Sequence, residues 1–249
     1  MTAIVGIICK DGVVIGADSS ATFVHGQQFR TIEQPCEKIC VIANNVIIAG
    51  SGQIGMGQRF CHVVEKAWKK GIFGKHPLDI GRDLSRLGID DFGYTQAPVG
   101  QYGALVAFFS GGKPCLFEFQ IQDFQPEYKT DSLWYCSMGS GQPITDPFLA
   151  FMREIFWQDG PPNLQEGIFA TIWTLEHAIK INPGGINGPV QIAVLESLKG
   201  APFTARKLKD NELDEHRENI HQAQLCLRGF RESYKPTTPS EIPDTPKPK

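Results

Sequence analysis

The sequence lacks a CxxC pair, a block or stripe of basic residues, and any apolar run long enough to cross a bilayer. Each absence excludes something. With a formal net charge of -3 and no basic stripe, nothing points to nucleic acid as a partner. The apolar runs are broken by Gly, Lys or Asp, so no membrane span is expected. The stretch 4–9 is too short for a signal-peptide core and has no basic flank before it. The seven cysteines are odd in number and scattered, which fits reduced thiols in a cytoplasm. Cys36 and Cys40 read as packing thiols. The histidines have no metal-ligand spacing; His216 and His221, five apart on a charged segment, fall on different helix faces. Neither a metal nor another cofactor is therefore expected.

What is present starts at the N-terminus. Residues 2–9 and 13–18 are apolar and β-branched, and Lys10-Asp11-Gly12 supplies a turn, with glycine tolerating a positive φ. Thr2 stands at the start of this hairpin. Once Met1 is removed, Thr2 carries a hydroxyl and a free α-amine, a nucleophile and its own base on one residue. No propeptide is expected ahead of Thr2, and its small side chain favours loss of Met1. Residues 19–37 read as polar and irregular. A second hairpin follows over 38–42 and 46–50, and the four strands together predict an antiparallel meander covered on both faces.

Farther along, helices are expected over 53–70 and 77–87, then a loop over 88–100. A hairpin over 102–109 and 115–121 and a short strand over 134–138 precede helices over 144–157 and 164–181. The second of these carries the stripe Ile168, Ile172, Leu175, Ile179 and stops at Pro183-Gly184-Gly185. Strands over 190–195 and 203–208 close the set. Hairpins alternating with helix pairs predict an α+β protein, a four-layer αββα sandwich of two antiparallel sheets. Its main domain would span 1–209, a charged surface helix 210–233, and a proline-rich, disordered tail 234–249.

Several phrases carry a family resemblance. Thr2-Ala3-Ile4-Val5-Gly6 is followed by Lys10-Asp11-Gly12-Val13-Val14-Ile15-Gly16-Ala17-Asp18-Ser19-Ser20-Ala21-Thr22. Glu37-Lys38-Ile39 precedes Ile48-Ala49-Gly50, and Gly139-Ser140-Gly141-Gln142 opens the third helix. Together these resemble the proteasome β-subunit family, the threonine-type N-terminal nucleophile hydrolases. The likeness is strongest over 2–52 and traceable to about 208, with bacterial homologues as the nearest kind. The resemblance implies the αββα sandwich and a role for each matching position. Thr2 would be the nucleophile, Asp18 the acid ending the second strand, and Lys38 the lysine beside the threonine hydroxyl. Ser140 would sit near the amine, and the Gly50 N–H would face the oxyanion. Ala21 and Thr22 would pair with substrate backbone. Ala21, Cys36, Ile48, Gly52 and Met56 would line the first specificity pocket, whose uncharged walls suit neutral or apolar side chains. Stacked homo-oligomeric rings acting on peptides or unfolded protein are also implied, with an ATPase regulator left open.

The chemistry stands on ordinary physical grounds. A threonine hydroxyl is a poor nucleophile until an amine of pKa roughly 8 takes its proton. A lysine ammonium favours the alkoxide-like state by charge, and an aspartate keeps that lysine charged and oriented. A glycine N–H can approach a tetrahedral oxyanion, where losing such a donor typically costs about 3 kcal/mol of barrier. One departure from the family is visible: its Asp-x-x-Ser is missing from 181–188, which holds Asn182 and Asn187 but no carboxylate. The 18–38 segment is also longer than usual. Taken singly, Asp18 is a strand-end cap, Lys38 a solvated charge and Ser140 a helix cap. Two alternatives to a peptidase remain: a structural ring of weak or no activity, and an amidase or transpeptidase on the same nucleophile.

Overall fold

The computed structural model describes residues 1–23, 32–182, 185–197 and 200–234; side chains at 22, 23, 32 and 33 are not described. Beyond Tyr234 the expected disordered tail, like the Pro183-Gly184 helix stop, lies outside the described residues.

Two five-stranded antiparallel sheets stack face to face. In the first, β1 (Ile4–Cys9) lies between β10 (Tyr135–Met138) and β2 (Gly12–Ala17), followed by β11 (Gln191–Glu196) and β12 (Thr204–Lys207). In the second, β5 (Ile39–Ile42), β6 (Val46–Gly52), β7 (Tyr102–Ser110), β8 (Lys113–Phe119) and β9 (Pro126–Tyr128) follow in order. Helices α1 (Ile54–Lys69) and α2 (Pro77–Gly93) cover the second sheet. The first sheet is covered by α3 (Gln142–Phe156) and α4 (Leu164–Ile181), and α5 (Asp210–Ser233) packs on α4. This is the four-layer αββα sandwich.

Alternation along the strands shows why the second sheet is apolar on both faces. Ile47, Ala49, Leu105, Ala107 and Leu116 face the first sheet. Their neighbours Ile48, Val106, Phe108, Cys115 and Phe117 face α1 and α2. Side chains of period two thus feed two cores from one strand.

The structure corrects several expectations. The first four apolar strands do not form one meander. The free edge of β2 is taken by β11, with Gln191 opposite Ala17, so the second hairpin belongs to the other sheet. Residues 19–37 are not irregular throughout: β3 (Ser20–Phe23) and β4 (Ile32–Pro35) form a separate two-stranded ribbon. The first turn is Lys10-Asp11 alone, with Gly12 paired to Cys9. Gly12 has no positive φ; a Cβ there would collide with the Leu195 carbonyl. Helix α2 continues six residues past 87, because Phe92 still reaches the aromatic core.

The first hairpin also starts α4. Asp11 Oδ1 accepts the Leu164 N–H at 2.7 Å, and Asn163 and Glu166 form a reciprocal capping box. Sequence and fold meet again at Gly16, where a Cβ would press on Thr171, Leu175 and Ile192. The glycine lets α4 lie close on β2.

Candidate active site

Strand register brings the predicted residues together. Ile4 lies opposite Met138 on one side and Ala17 on the other. Continuing outward, Thr2 and Ala3 come between Gly139-Ser140-Gly141 and Asp18. Gly139 has φ +97°, and a Cβ there would collide with the Thr2 carbonyl, so this phrase can lie directly on the first strand. Ser140 Oγ accepts the Thr2 N–H at 3.0 Å, and the Gly141 N–H donates to the Thr2 carbonyl at 3.0 Å.

Asp18 is fully buried at the end of β2. Its carboxylate accepts the Ala3 N–H at 2.9 Å, the Ser20 N–H at 3.1 Å and the Lys38 ammonium at 2.6 Å. The same Lys38 Nζ lies 3.2 Å from Thr2 Oγ1. Burial pushes the Lys38 pKa below its ordinary value, although Asp18 pulls the other way. The Lys38 backbone is fixed by Gln191, whose side-chain oxygen accepts the Lys38 N–H at 3.0 Å. The Gln191 amide donates to Ser19 Oγ and to the Cys36 carbonyl, both at 2.7 Å. Both Lys38 Nζ and Thr2 Oγ1 also donate to the Met1 carbonyl, at 3.2 and 2.8 Å.

This cluster opens into a cavity of about 950 Å³. Its walls include Ala21, Cys36, Ile48, Gly50 and Gly52 from the expected set. Met56 does not line it; it is buried in the α1 core. The Thr22 side chain lies outside the described residues, and its backbone runs in β3. Past Ala49, which pairs with Ile39, β6 has β7 on one side only. Gly50 and Gly52 there border the cavity, and a Cβ on Gly50 would collide with the Tyr102 hydroxyl.

Three contributors were not expected from sequence. Tyr102 closes the cavity beneath Gly50 and Gly57. Cys61 of α1 reaches the same wall as Cys40. Ser20 Oγ is buried beside the site with no hydrogen-bond partner among the described residues. Each sits in a locally ordinary pattern, and only the pairing of distant strands gives them a place. Among the described residues no carboxylate hydrogen-bonds Ser140, as the missing Asp-x-x-Ser foreshadows. No group of three or more His, Cys, Asp or Glu suited to a metal occurs among them either. No helix among them is long and apolar enough to cross a membrane.

Two antiparallel sheets stacked between helix layers are the fold of the N-terminal nucleophile hydrolases, and here a threonine just ahead of the first strand stands beside a buried lysine–aspartate pair. A family model described as "Proteasome subunit" matches residues 2–71. Proteasome subunits beta type-7-A and type-7-B of Arabidopsis thaliana are each 29% identical over 146 residues, 56% of this chain. The match takes in 48% and 47% of those relatives, so the chain spans about half their length. Among solved structures, the Anbu (Gly-1) mutant from Hyphomicrobium sp. strain MC1 superposes with TM-score 0.71 at 12% identity. That match covers 96% of this chain and 100% of the other. The helical assembly of the Anbu complex from Pseudomonas aeruginosa gives 0.67 at 10%, with the same coverage. At those identities the likeness is one of fold. In sequence the chain is similar to these β-subunits over part of its length, and in fold it is similar to the two Anbu structures.

Proposed function

We propose that this protein is a threonine peptidase that cleaves peptide bonds with Thr2 as nucleophile once Met1 is removed. The observation that carries the proposal is the placement of Lys38 Nζ, 3.2 Å from Thr2 Oγ1 and 2.6 Å from Asp18. Loss of Met1 frees both Thr2 Oγ1 and Lys38 Nζ from its carbonyl and turns the Thr2 nitrogen into a basic amine beside Ser140.

The Thr2 hydroxyl gives its proton to that amine as Oγ1 attacks the substrate carbonyl carbon. The Lys38 charge favours the developing alkoxide, and Asp18 holds the ammonium in place. The Gly50 N–H, on the stretch of β6 open to the cavity, donates to the oxyanion. The amine returns its proton to the leaving nitrogen, an ester forms on Thr2, and water hydrolyses it. The substrate chain lies along Ala21 and Thr22. Its side chain enters the cavity past Cys36, Ile48 and Gly52, which suits neutral or apolar groups. Homo-oligomeric stacked rings in a cytoplasm, taking unfolded protein or peptides, complete the proposal, and an ATPase regulator would fit such a ring.

A Thr2→Ala variant is expected to lose peptide cleavage while keeping its fold by circular dichroism. Equal cleavage by parent and variant would remove the proposal. The absence of a carboxylate on Ser140 among the described residues favours a second reading, a ring of weak or no hydrolysis. Intact mass separates the two, since a chain that keeps Met1 in cells has no free amine to act as base.

A further inference from the structure

The floor of the cavity holds two thiols that the peptidase chemistry does not use. Cys40 lies on β5 opposite Ile48, on the face that meets α1. Cys61 lies on α1, next to Phe60, which is fully buried in the same core. Both are half-buried, both line the cavity, and both pack against the same aromatic cluster. The two meet where α1 packs on β5, and each thiol acts on the titration of the other.

We propose that Cys40 and Cys61 form a redox-active dithiol, which a hydroperoxide converts into a disulfide tying β5 to α1 in the cavity floor. The surroundings divide the labour between the two sulfurs. The Cys61 S–H stabilises a Cys40 thiolate, the Lys207 ammonium adds to the effect, and burial with Glu37 and Glu65 opposes it; the Cys40 pKa is pulled down to about 7. Cys61 moves the other way, because its proton serves that bond and burial disfavours its charge. The neighbouring Tyr102 phenol is kept neutral by burial and by both thiols. Elsewhere burial raises Cys9, Cys115 and Cys136, none of which lines the cavity, and Cys226 is exposed on α5.

The chemistry balances. The Cys40 thiolate attacks one peroxide oxygen, the O–O bond breaks, and the departing hydroxide or alkoxide takes up a proton. The resulting Cys40 sulfenic acid is then attacked by the Cys61 sulfur. The S–S bond forms, the S–O bond breaks, and the hydroxide leaves as water with the Cys61 proton. The two thiols lose two electrons, and hydrogen peroxide is reduced to two waters. A lowered pKa raises the share of the Cys40 sulfur present as the reactive thiolate near neutral pH.

The test is made on the full chain, treated with hydrogen peroxide, alkylated and digested with trypsin. Expected is a cross-link between the peptide 39–59 and the peptide 60–66, with the intact chain lighter by two hydrogens. Dithiothreitol should reverse it. In Cys61→Ser the cross-link should vanish and Cys40 should stop at a sulfenic acid that dimedone captures; Cys61→Ala repeats the test with a smaller side chain. Cys40 running on to sulfinic acid in the parent while Cys61 stays free would overturn the proposal. Pairing of Cys40 with Cys36 would do the same. The readout is covalent, so it stands apart from the peptidase proposal. A cross-link formed in a chain that cleaves no peptide would count against that proposal and for this one.

Discussion

At the scale of single residues, the candidate site is a set of charges taken out of water. Asp18 accepts two backbone N–H groups as well as the Lys38 ammonium, so its buried charge is paired and hydrogen-bonded on several sides. Lys38 Nζ donates to Asp18, Thr2 Oγ1 and the Met1 carbonyl, yet burial still lowers its pKa from 10.5. This bears on the pH dependence of the proposed reaction. The Thr2 amine must be neutral to act as base, so activity should rise with pH through a value at or below about 8, since the nearby ammonium disfavours a second positive charge. Lys38 must stay protonated, so activity should fall as pH passes its own pKa, and that fall should begin below the range of an ordinary lysine. A profile of kcat/KM against pH checks both limbs. In Lys38→Arg the guanidinium cannot lose its proton, and whatever activity remains should lack the alkaline fall. An alkaline fall unchanged in that variant would show that another group causes it.

At the scale of elements, the site depends on how closely α4 rests on the first sheet. Gly16→Ala would place a methyl against Thr171, with Leu175 Cδ1 2.8 Å and Ile192 Cδ1 2.9 Å from the new carbon. Overpacking of this kind should cost about 1–3 kcal/mol. Thr171→Ser removes the nearest methyl and keeps the hydroxyl bond to the Gly167 carbonyl, so the double variant should recover part of the loss. Denaturant unfolding of the four proteins gives the coupling, and strictly additive losses would show that Thr171 is not the obstacle. The same elements show what a sequence can disclose. The limits of α4 follow from its apolar stripe and its caps, both local. Thr2, Asp18, Lys38 and Ser140 stand next to strand ends, but only the family resemblance implies that they meet; the strand patterns by themselves do not. The β3–β4 ribbon is short and polar, and β9 has three residues, so neither carries a periodic signal. The placement of β11 against β2, and of Tyr102 and Cys61 against the cavity, depends on pairing between distant parts of the chain, which no local pattern records.

At the scale of the whole molecule, burial is uneven. The two cores are closed, yet α3 leaves Phe151, Ile155 and Phe156 exposed by 48%, 56% and 47%, and Ile181 at the end of α4 by 51%. Large side chains clustered on the outer helix layer mark an association surface better than scattered ones do. The proposed ring gives them an occupant, a second copy of this chain. A freely diffusing peptidase would also expose its nucleophile to every folded and unfolded chain, whereas a closed assembly admits only what can be threaded in. Charged replacements should therefore act on assembly while sparing the fold, since these positions already face water in the single chain. Phe151→Glu combined with Ile155→Lys is expected to lower the sedimenting mass towards that of one subunit, with the circular dichroism spectrum and thermal midpoint little changed. Should the parent itself sediment as a single chain, or the variant match the parent's assembly, this face would not be the contact.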